Sequence, residues 1–350
     1  MGIEQLFDIQ LPLIQSPMAG AQDAALTIAV SKAGGLGSLP CAMLTPAQLR
    51  AELARIRAAT DKPINLNFFV HQPPTVDDAQ EQQWRAALRP YYQTYGLDPE
   101  AVPPAPVRNP FNDEMADIVE AFRPEVVSFH FGLPSDALLE RVRRAGCKAL
   151  SSATTVAEAL WLEQQGVDGI IAQGIEAGGH RGFFLDRDLN RQIGTMALLP
   201  QILAVTDLPV IAAGGIADRA GIRGALAMGA AGVQLGTAFL LCDESRVNAL
   251  HRQALAEPHK PTALTNIFSG GPARGIMNEV MQALGPMAPL APAFPLAGAA
   301  IAPLRQAAEA QQSADFTPLW SGQNRNGCRA VPAATLIQQL FNDPDSLPPR

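Results

Sequence analysis

The sequence predicts an α/β protein: a (β/α)8 barrel of the TIM type with a smaller, mostly helical cap domain. Three observations predict this fold. The chain has 350 residues, 47% hydrophobic and 17% charged, so it can bury the core of one large domain and an appendage. Short apolar runs alternate with amphipathic segments over roughly the first 250 residues, as βα units on a parallel sheet do. Eight such runs occur, a number that favours a closed barrel over an open sheet.

The eight candidate strands are nearly continuous in apolar residues, as strands buried on both faces should be. They span Leu11–Ser16, Gly35–Leu39, Ile64–Phe69, Val126–Phe129, Lys148–Ser152, Gly169–Gln173, Pro209–Ala213 and Gly232–Leu235. Amphipathic segments follow them. In Ser135–Ala145, for example, Leu139 and Val142 form an apolar stripe against charged neighbours, which predicts a helix on the outside of the barrel.

Two stretches break this alternation and are assigned to the cap. Residues 71–112 follow the third strand, are rich in proline and glutamine, and hold all three tyrosines of the chain. Residues 258–350 contain many prolines and no strand and helix alternation. The barrel is therefore expected to comprise residues 1–70 and 113–257.

Composition and charge exclude several classes of function. A net charge of −7 and a pI near 5.3 argue against nucleic acid, whose binding depends on clustered basic residues. The four cysteines lie far apart without a CxxC pair, and no two histidines have metal-ligand spacing, so neither a disulfide framework nor a metal site is expected. Reduced thiols fit a cytoplasmic protein.

No targeting or membrane segment is predicted. The N-terminal residues lack the basic start and apolar run of a secretory signal, which also favours the cytoplasm. The most apolar late stretch, Pro289–Leu304, contains four prolines and is too short to cross a bilayer. We expect it to form a packed, irregular surface segment.

The loops after strands seven and eight carry the residues of a phosphate site. Gly214-Gly215 follows strand seven, and Gly236-Thr237 follows the Gln234-Leu235 end of strand eight. In barrels of this kind these two loops commonly bind a phosphate through backbone N–H groups. The alternative is that these glycines form ordinary tight turns.

Two further strand ends offer contacts to a flat ring. The loop Pro17-Met18-Ala19-Gly20 after strand one could run along such a ring, although a plain turn would also explain Pro17 and Gly20. Asn67 interrupts an apolar run in strand three, and a buried amide there must find partners. Those partners are either a heteroaromatic edge or neighbouring backbone.

The segment with the most candidate catalytic side chains is the glycine-rich loop after strand six. It follows Gln173 and contains Gly178, Gly179 and His180. A histidine here could accept a proton or hold an anion, or it could be a solvated loop residue. His130, at the end of strand four, is the second catalytic candidate because it also faces the barrel mouth, and its alternative role is that of a core histidine with satisfied hydrogen bonds.

Taken in order, these loops resemble the nitronate monooxygenase family of FMN barrels, in particular its class I bacterial branch. The resemblance covers most of the chain. It rests on the segments Gln15–Gly20, Ser31–Pro40, Asn65–Phe69, Ser128–Gly132, Glu176–Gly182, Ala213–Ile216, Gln234–Thr237 and Trp320–Gln323.

The resemblance implies a role for each of these candidate residues. The residues that would contact the flavin ring are Pro17, Met18, Ala19, Gly20, Asn67, Gln173, Gly178, Gly179 and Gln323. Those that would hold the FMN phosphate and its neighbourhood are Gly214, Gly215, Gln234, Leu235, Gly236 and Thr237. His180 matches the family's catalytic histidine. The implied activity is oxidation of alkyl nitronates by O2, with propionate 3-nitronate as the usual substrate, by a monomer or homodimer.

Three other functions stay open. The first is an NAD(P)H-dependent quinone or enoyl-thioester reductase on the same FMN barrel. The second is a flavin-free phosphate barrel such as an isomerase or aldolase, although no lysine lies at a suitable strand end. The third is a flavin-binding module without catalysis.

The insertion at residues 71–112 has length enough to gate the site. Barrel loops of this size usually cover or shape the active site, so we expect its tyrosines to cover the flavin. Their alternative role is packing between cap and barrel. The tyrosines in question are Tyr91, Tyr92 and Tyr95.

His71, His251 and His259 complete the histidines of the chain. They fall on predicted cap or surface segments, and no function is assigned to them.

Overall fold

The computed structural model describes residues 2–102, 108–257 and 259–341. Its core is a sheet of eight parallel strands, which confirms the predicted barrel and all eight strand positions to within three residues. The strands are β1 (Leu13–Gln15), β2 (Gly37–Pro40), β3 (Ile64–Phe69), β4 (Val126–His130), β5 (Lys148–Ala153), β6 (Gly169–Gln173), β8 (Val210–Ala213) and β9 (Gly232–Leu235). They are hydrogen-bonded in the order β1-β9-β8-β6-β5-β4-β3-β2.

The barrel closes between its first two strands. A single parallel bridge joins Ile14 to Leu36, immediately before β2. The Gln15 N–H donates to the Leu36 carbonyl at 2.9 Å, and the Leu36 N–H donates to the Leu13 carbonyl at 2.8 Å. The carboxyl ends of all eight strands therefore meet at one mouth, which places the loops singled out in the sequence side by side.

Helices surround the barrel and form much of the cap. They are α1 (Ile3–Phe7), α2 (Ala24–Lys32), α3 (Pro46–Ala59), α4 (Asp78–Thr94), α5 (Asp113–Phe122), α6 (Asp136–Arg144), α7 (Val156–Gln164), α8 (Thr195–Leu203), α9 (Arg219–Ala227), α10 (Ala249–Ala256), α11 (Glu279–Leu284), α12 (Gly298–Ala310) and α13 (Ala333–Phe341). Local sequence sets their ends. Helix α3, for instance, begins with a capping box between Thr45 and Gln48 and has Pro46 in its first turn. In the described residues, no helix has both the length and the apolar character to cross a membrane.

A small antiparallel sheet, absent from the prediction of a mostly helical cap, ties the cap to the barrel. Its strands are β7 (Gly179–His180), β10 (Thr262–Thr265) and β11 (Ala273–Ile276), with β11 in the middle. The strands are too short to produce a period-2 signal that stands out from a proline-rich background. This sheet fixes the loop after β6, which carries His180, against the cap.

The insertion and the C-terminal segment pack on each other. The Trp84 indole of α4 donates to the Ala297 carbonyl at 3.2 Å, and the Tyr92 hydroxyl donates to the Ala300 carbonyl at 2.7 Å. The expectation of an irregular segment at Pro289–Leu304 is wrong for its second half, because α12 begins at Gly298 and buries one face in the same apolar cluster.

The last described helix, α13, packs instead on the barrel helix α2 and belongs to the barrel's apolar cluster. The division into barrel residues 1–70 and 113–257 and cap residues 71–112 and 258–350 stays a prediction. Residues 103–107, 258 and 342–350 of the expected cap lie outside the described residues.

Candidate active site at the barrel mouth

A cavity of about 470 Å³ lies between the carboxyl ends of the barrel strands and the cap. This volume falls within the usual range of small-molecule sites. Fifteen of the seventeen predicted site residues line it, the exceptions being Leu235 and Gln323. Leu235 is buried in the barrel core, and Gln323 lines a neighbouring cavity while its backbone N–H donates to the Glu176 carbonyl at 3.0 Å.

The loop after β8 has a backbone that only glycine adopts without strain. Gly214 has φ +116° and Gly215 has φ +73°. Thr195 Oγ1 donates to the Gly214 carbonyl at 2.9 Å, and Asn324 Nδ2 donates to the Gly215 carbonyl at 2.9 Å. The side chains of Thr195 and Asn324 thus hold both carbonyls of this loop in place.

The loop after β9 adds a hydroxyl and an unpaired amide oxygen. Thr237 Oγ1 accepts the Gly322 N–H at 2.9 Å, which leaves its own proton to donate. Gln234 Nε2 lies 3.5 Å from Ser16 Oγ, but Gln234 Oε1 is buried and has no hydrogen-bond partner in the described part of the chain. Burying an acceptor without a hydrogen-bond donor costs free energy. We therefore expect this oxygen to accept a hydrogen bond from a hydroxyl or N–H of a bound group.

Hydrogen bonds with two buried glutamines hold the loop after β1 in place. Gln22 Oε1 accepts the Met18 N–H at 3.1 Å and a Gln15 Nε2 proton at 2.6 Å. Gly20 has φ +81°, which lets the chain turn at the end of the loop. The backbone of Pro17–Gly20 therefore presents a fixed edge to the cavity.

The two predicted ring contacts from strands β3 and β6 already have protein partners. Asn67 Nδ2 donates to Ser128 Oγ at 3.0 Å. Gln173 Nε2 donates to the His180 carbonyl at 3.0 Å, and Gln173 Oε1 accepts the Gly182 N–H at 2.8 Å. The Gln173 amide thus holds the two sides of the following loop together.

Two buried arginines complete the support of that loop. Arg181 is 1% exposed and donates to the Gly174 carbonyl at 2.7 Å and to the Gln173 carbonyl at 2.8 Å. Arg274 Nε donates to the Ile175 carbonyl at 2.9 Å. Because charged donors form strong hydrogen bonds in a buried environment, the loop is rigid around His180.

His180 lies in β7, opposite Ala273 of β11, with its ring inside the cavity. Its Nε2 is 2.8 Å from Ser269 Oγ, and its ring centroid is 5.2 Å from that of Phe294 and 5.6 Å from that of Trp320. Burial, and then the nearby positive charge of Arg108, lower the pKa of His180 to about 3. Its imidazole is therefore neutral near pH 7.

His130 supports His180 from beneath. Its Nε2 is 3.1 Å from the His180 carbonyl and must donate to it, because a carbonyl only accepts. Its Nδ1 then accepts the Ser152 hydroxyl at 3.1 Å. Burial lowers the pKa of His130 to about 4, which keeps this arrangement neutral.

Gly178 lies directly against the cap. A Cβ there would lie 2.5 Å from the Gly322 nitrogen, so the residue permits contact between the loop and the cap. A Cβ on Gly179 would meet nothing within 4 Å, and its φ is +71°. Of the two glycines, Gly179 is the one beside open space in the cavity.

Sequence reasoning missed that two further histidines are buried. His251, expected on the surface, is buried and lines the cavity, with Nε2 3.0 Å from the Trp320 carbonyl and its pKa lowered to about 4 by burial. His71 is buried as well, 4.9 Å from the Phe294 ring, and its Nδ1 has no partner in the described structure. The glycine and strand patterns that revealed the barrel loops have no counterpart in the cap.

The three tyrosines of the insertion lie away from the cavity. Tyr92 is buried against α12, and Tyr91 and Tyr95 meet the Phe316 ring edge to face, so all three pack within the cap. None of them lines the cavity. Across the described residues, no group of three or more potential ligands that could hold a metal ion is found.

Comparison with known proteins gives a consistent result. Residues 2–343 match the family model described as nitronate monooxygenase. The nitronate monooxygenase of Pseudomonas aeruginosa is 42% identical over 346 residues, 97% of each chain, and that of Paraburkholderia phytofirmans is 43% identical over 96% of this chain and 92% of its own. The solved structure of nitroalkane oxidase from Streptomyces ansochromogenes has a TM-score of 0.88 and 37% identity, covering 96% of this chain and 95% of that one.

Proposed function

Since this chain belongs to the nitronate monooxygenase family, we propose that it is an FMN-dependent enzyme that oxidises alkyl nitronates, propionate 3-nitronate above all, with O2. The products would be a carbonyl compound and nitrite or nitrate. The observation that carries the proposal is that the glycine loops at Gly214-Gly215 and Gly236-Thr237 and the buried His180 line one cavity. We further propose that it acts in the cytoplasm, as a monomer or homodimer.

The described residues fit FMN. The phosphate would lie between Gly214-Gly215 and Gly236-Thr237, and the Gln234 amide oxygen would accept a hydrogen bond from the cofactor and lose its unsatisfied state. One phosphate site and the absence of a Rossmann glycine motif favour FMN over a dinucleotide. When bound, the flavin supplies the electron-transfer chemistry between the nitronate and O2.

The protein's own contribution is position, exclusion of water and proton control. The edge of Pro17–Gly20 would orient the flavin ring from one side, and the open space at Gly179 would admit it on another. The rings of Phe294 and Trp320 lie next to His180, and their apolar surface would keep bulk water from the reacting carbon of a bound substrate. A preformed nitronate needs no proton removed at that carbon.

Neutral nitroalkanes are the second candidate substrates. The solved neighbour at 37% identity is titled a nitroalkane oxidase, and a neutral His180 could remove the carbon proton that such a substrate carries. On this substrate His180 would be a general base. On a nitronate it would act only in binding.

Two measurements test the function directly: O2 uptake with propionate 3-nitronate, and an anaerobic spectrum with NADH. We expect a yellow protein that releases FMN on denaturation, consumes O2 with propionate 3-nitronate, and keeps its oxidised flavin spectrum when NADH is added without oxygen. Rapid bleaching by NADH, with no O2 uptake on the nitronate, would assign the protein to the reductases on the same barrel. A colourless protein would support a flavin-free phosphate barrel.

A further inference from the structure

Three arginines of the described chain line the cavity, and only one of them lacks a counter-charge. Arg246 forms an ion pair with Asp23 at 2.7 Å, and Arg305 forms one with Glu309 at 2.7 Å. Arg108 has no ion pair with any residue that the structure describes, although it lines the same cavity. Of the arginines that line the cavity, Arg108 is therefore the one whose charge is not balanced by an ion pair within the described part of the chain.

The surroundings of Arg108 make this lack of a partner costly. Its guanidinium carbon lies 5.6 Å from the centre of the Phe294 ring, and its Nε is buried with no hydrogen-bond partner among the described residues. Burial also lowers the pKa of Arg108, but a guanidinium stays protonated at neutral pH. Stacking on a ring removes water from one face without neutralising the charge, and a buried charge is tolerated chiefly when it is paired.

Arg108 and His180 face the same part of the cavity. The Phe294 ring that Arg108 contacts is 5.2 Å from the His180 ring, and the positive charge of Arg108 contributes to the low pKa of His180. Because His180 is neutral, it cannot balance a substrate with two negative charges. Arg108 is the cation available to such a substrate on the cap side.

Building on the proposed function, we infer that Arg108 binds the carboxylate of a carboxylate-bearing nitronate and so sets the preference for this class over nitronates with an uncharged tail. A planar guanidinium matches a carboxylate with two parallel hydrogen bonds. The nitronate group is also a planar anion with two oxygens. Its binding to Arg108 in place of the carboxylate is the competing outcome of the test.

The test compares two nitronates of equal length, propionate 3-nitronate and the nitronate of 1-nitropropane, on wild type and Arg108→Gln. Removing one partner of a desolvated charge pair should lower kcat/KM for propionate 3-nitronate by about 30-fold or more. The value for the uncharged-tail nitronate should change less than about threefold. Equal losses on both would place the nitronate group on Arg108 and overturn the inference, and so would a selective loss in Arg305→Gln but not in Arg108→Gln.

Arg108→Lys provides a second variant that keeps the charge and loses the fork geometry. It should retain part of the preference and lower the ratio of the two kcat/KM values by about threefold to tenfold. If the ratio of kcat/KM for the two nitronates were unchanged in both Arg108→Lys and Arg108→Gln, the inference would be overturned. If Arg108→Gln failed to fold, as judged by its circular dichroism, an unchanged ratio in Arg108→Lys would overturn it alone.

A binding measurement separates this inference from the proposed reaction. Succinate, which replaces the nitro end by a second carboxylate and is not oxidised, should bind the FMN-loaded wild type and perturb the flavin spectrum. Arg108→Gln should weaken this binding by about 30-fold with unchanged flavin content. If wild type oxidised neither nitronate yet bound succinate through Arg108, the proposed function would fail and the anion site would stand. Equal succinate affinity in wild type and variant would remove the site whatever the turnover.

Discussion

The two walls of the cavity differ in origin and in chemistry. The barrel wall consists of backbone loops, with left-handed glycines at Gly214 and Gly215 and a fixed edge at Pro17–Gly20. The opposite wall, called the cap wall here, consists of side chains from distant parts of the chain, including Arg108 of the insertion and His251 of α10, which contacts the Trp320 carbonyl of the cap. In the proposed function, the barrel wall would hold the cofactor, which every substrate shares. The cap wall would supply the charge and shape that distinguish one substrate from another.

His180 lies where the two walls meet. Its loop leaves the barrel strand β6, but β11 of the cap holds it in place and Ser269 of the cap contacts its ring. Substitutions on the barrel wall should therefore lower the amount of bound cofactor. Substitutions of His180 should lower the rate of turnover. Changes within the cap, away from the cavity, should affect stability alone.

The largest expected effect is on the barrel wall, at Gly215. Gly215→Asp places a carboxylate beside the proposed phosphate, and repulsion between charges about 4 Å apart should weaken flavin binding at least about 100-fold. Gly215→Asn is the matched control, since asparagine has the same size, no charge, and tolerates a φ of +73° better than other side chains. The ratio of flavin to protein after purification measures both. An Asp variant as yellow as wild type would contradict the phosphate site.

A smaller effect, on rate, is expected at the junction of the walls. His180→Asn should lower kcat/KM for a neutral nitroalkane by about 10²-fold to 10⁴-fold, the usual cost of losing a positioned base. With a preformed nitronate the loss should be smaller and appear in KM. Steady-state kinetics of the FMN-loaded variant on both substrates gives the answer. Unchanged kinetics on both would make His180 an ordinary loop histidine.

The pH dependence should show that the histidines of both walls are neutral. The pKa values of His130 and His251 are lowered to about 4 by burial, below the value of about 6.5 in an unfolded chain. Between these values the unfolded chain binds more protons, so the free energy of unfolding falls as the pH drops through this window. Each histidine should contribute about 1–2 kcal/mol between pH 6.5 and 5.

Urea unfolding of wild type and His251→Gln at these two pH values measures that contribution. The variant should lose less stability on acidification than wild type by about 1–2 kcal/mol. Parallel losses in the two proteins would show that His251 is not held neutral by the cap.

The smallest effect is expected inside the cap, at the tyrosines of the insertion. Tyr92→Phe removes the 2.7 Å hydrogen bond to the Ala300 carbonyl and should cost about 1 kcal/mol of stability without changing turnover. Tyr91→Phe is the matched control, with an expected change below about 0.5 kcal/mol. Thermal unfolding and steady-state kinetics distinguish the two. A large loss of turnover in Tyr92→Phe would restore the idea that these tyrosines cover the flavin.

The barrel could be predicted from sequence because its signals are local. Strands buried on both faces appear in the sequence as short apolar runs such as Val210–Ala213. Turns that need a positive φ contain glycine. Once eight such strands are recognised, barrel geometry brings their carboxyl ends together, so Gly215 and Thr237 could be expected in one site although they are far from Pro17 in sequence. The side chain of Leu235 is buried in the barrel core because side chains alternate along a strand.

The cap could not be predicted in the same way, because nothing local marks which of its side chains will meet. Strands β10 and β11 are too short for a periodic signal, and His251 carries no sequence feature that separates it from a surface histidine.

The barrel, its glycine loops and the histidine in the loop after the sixth strand could therefore be predicted from the sequence. The tertiary structure was needed to show that this histidine is buried and neutral and that the tyrosines pack away from the cavity. It was also needed to show that Arg108 lacks a counter-charge among the described residues. Burial and charge pairing depend on distances between segments that only the folded chain brings together.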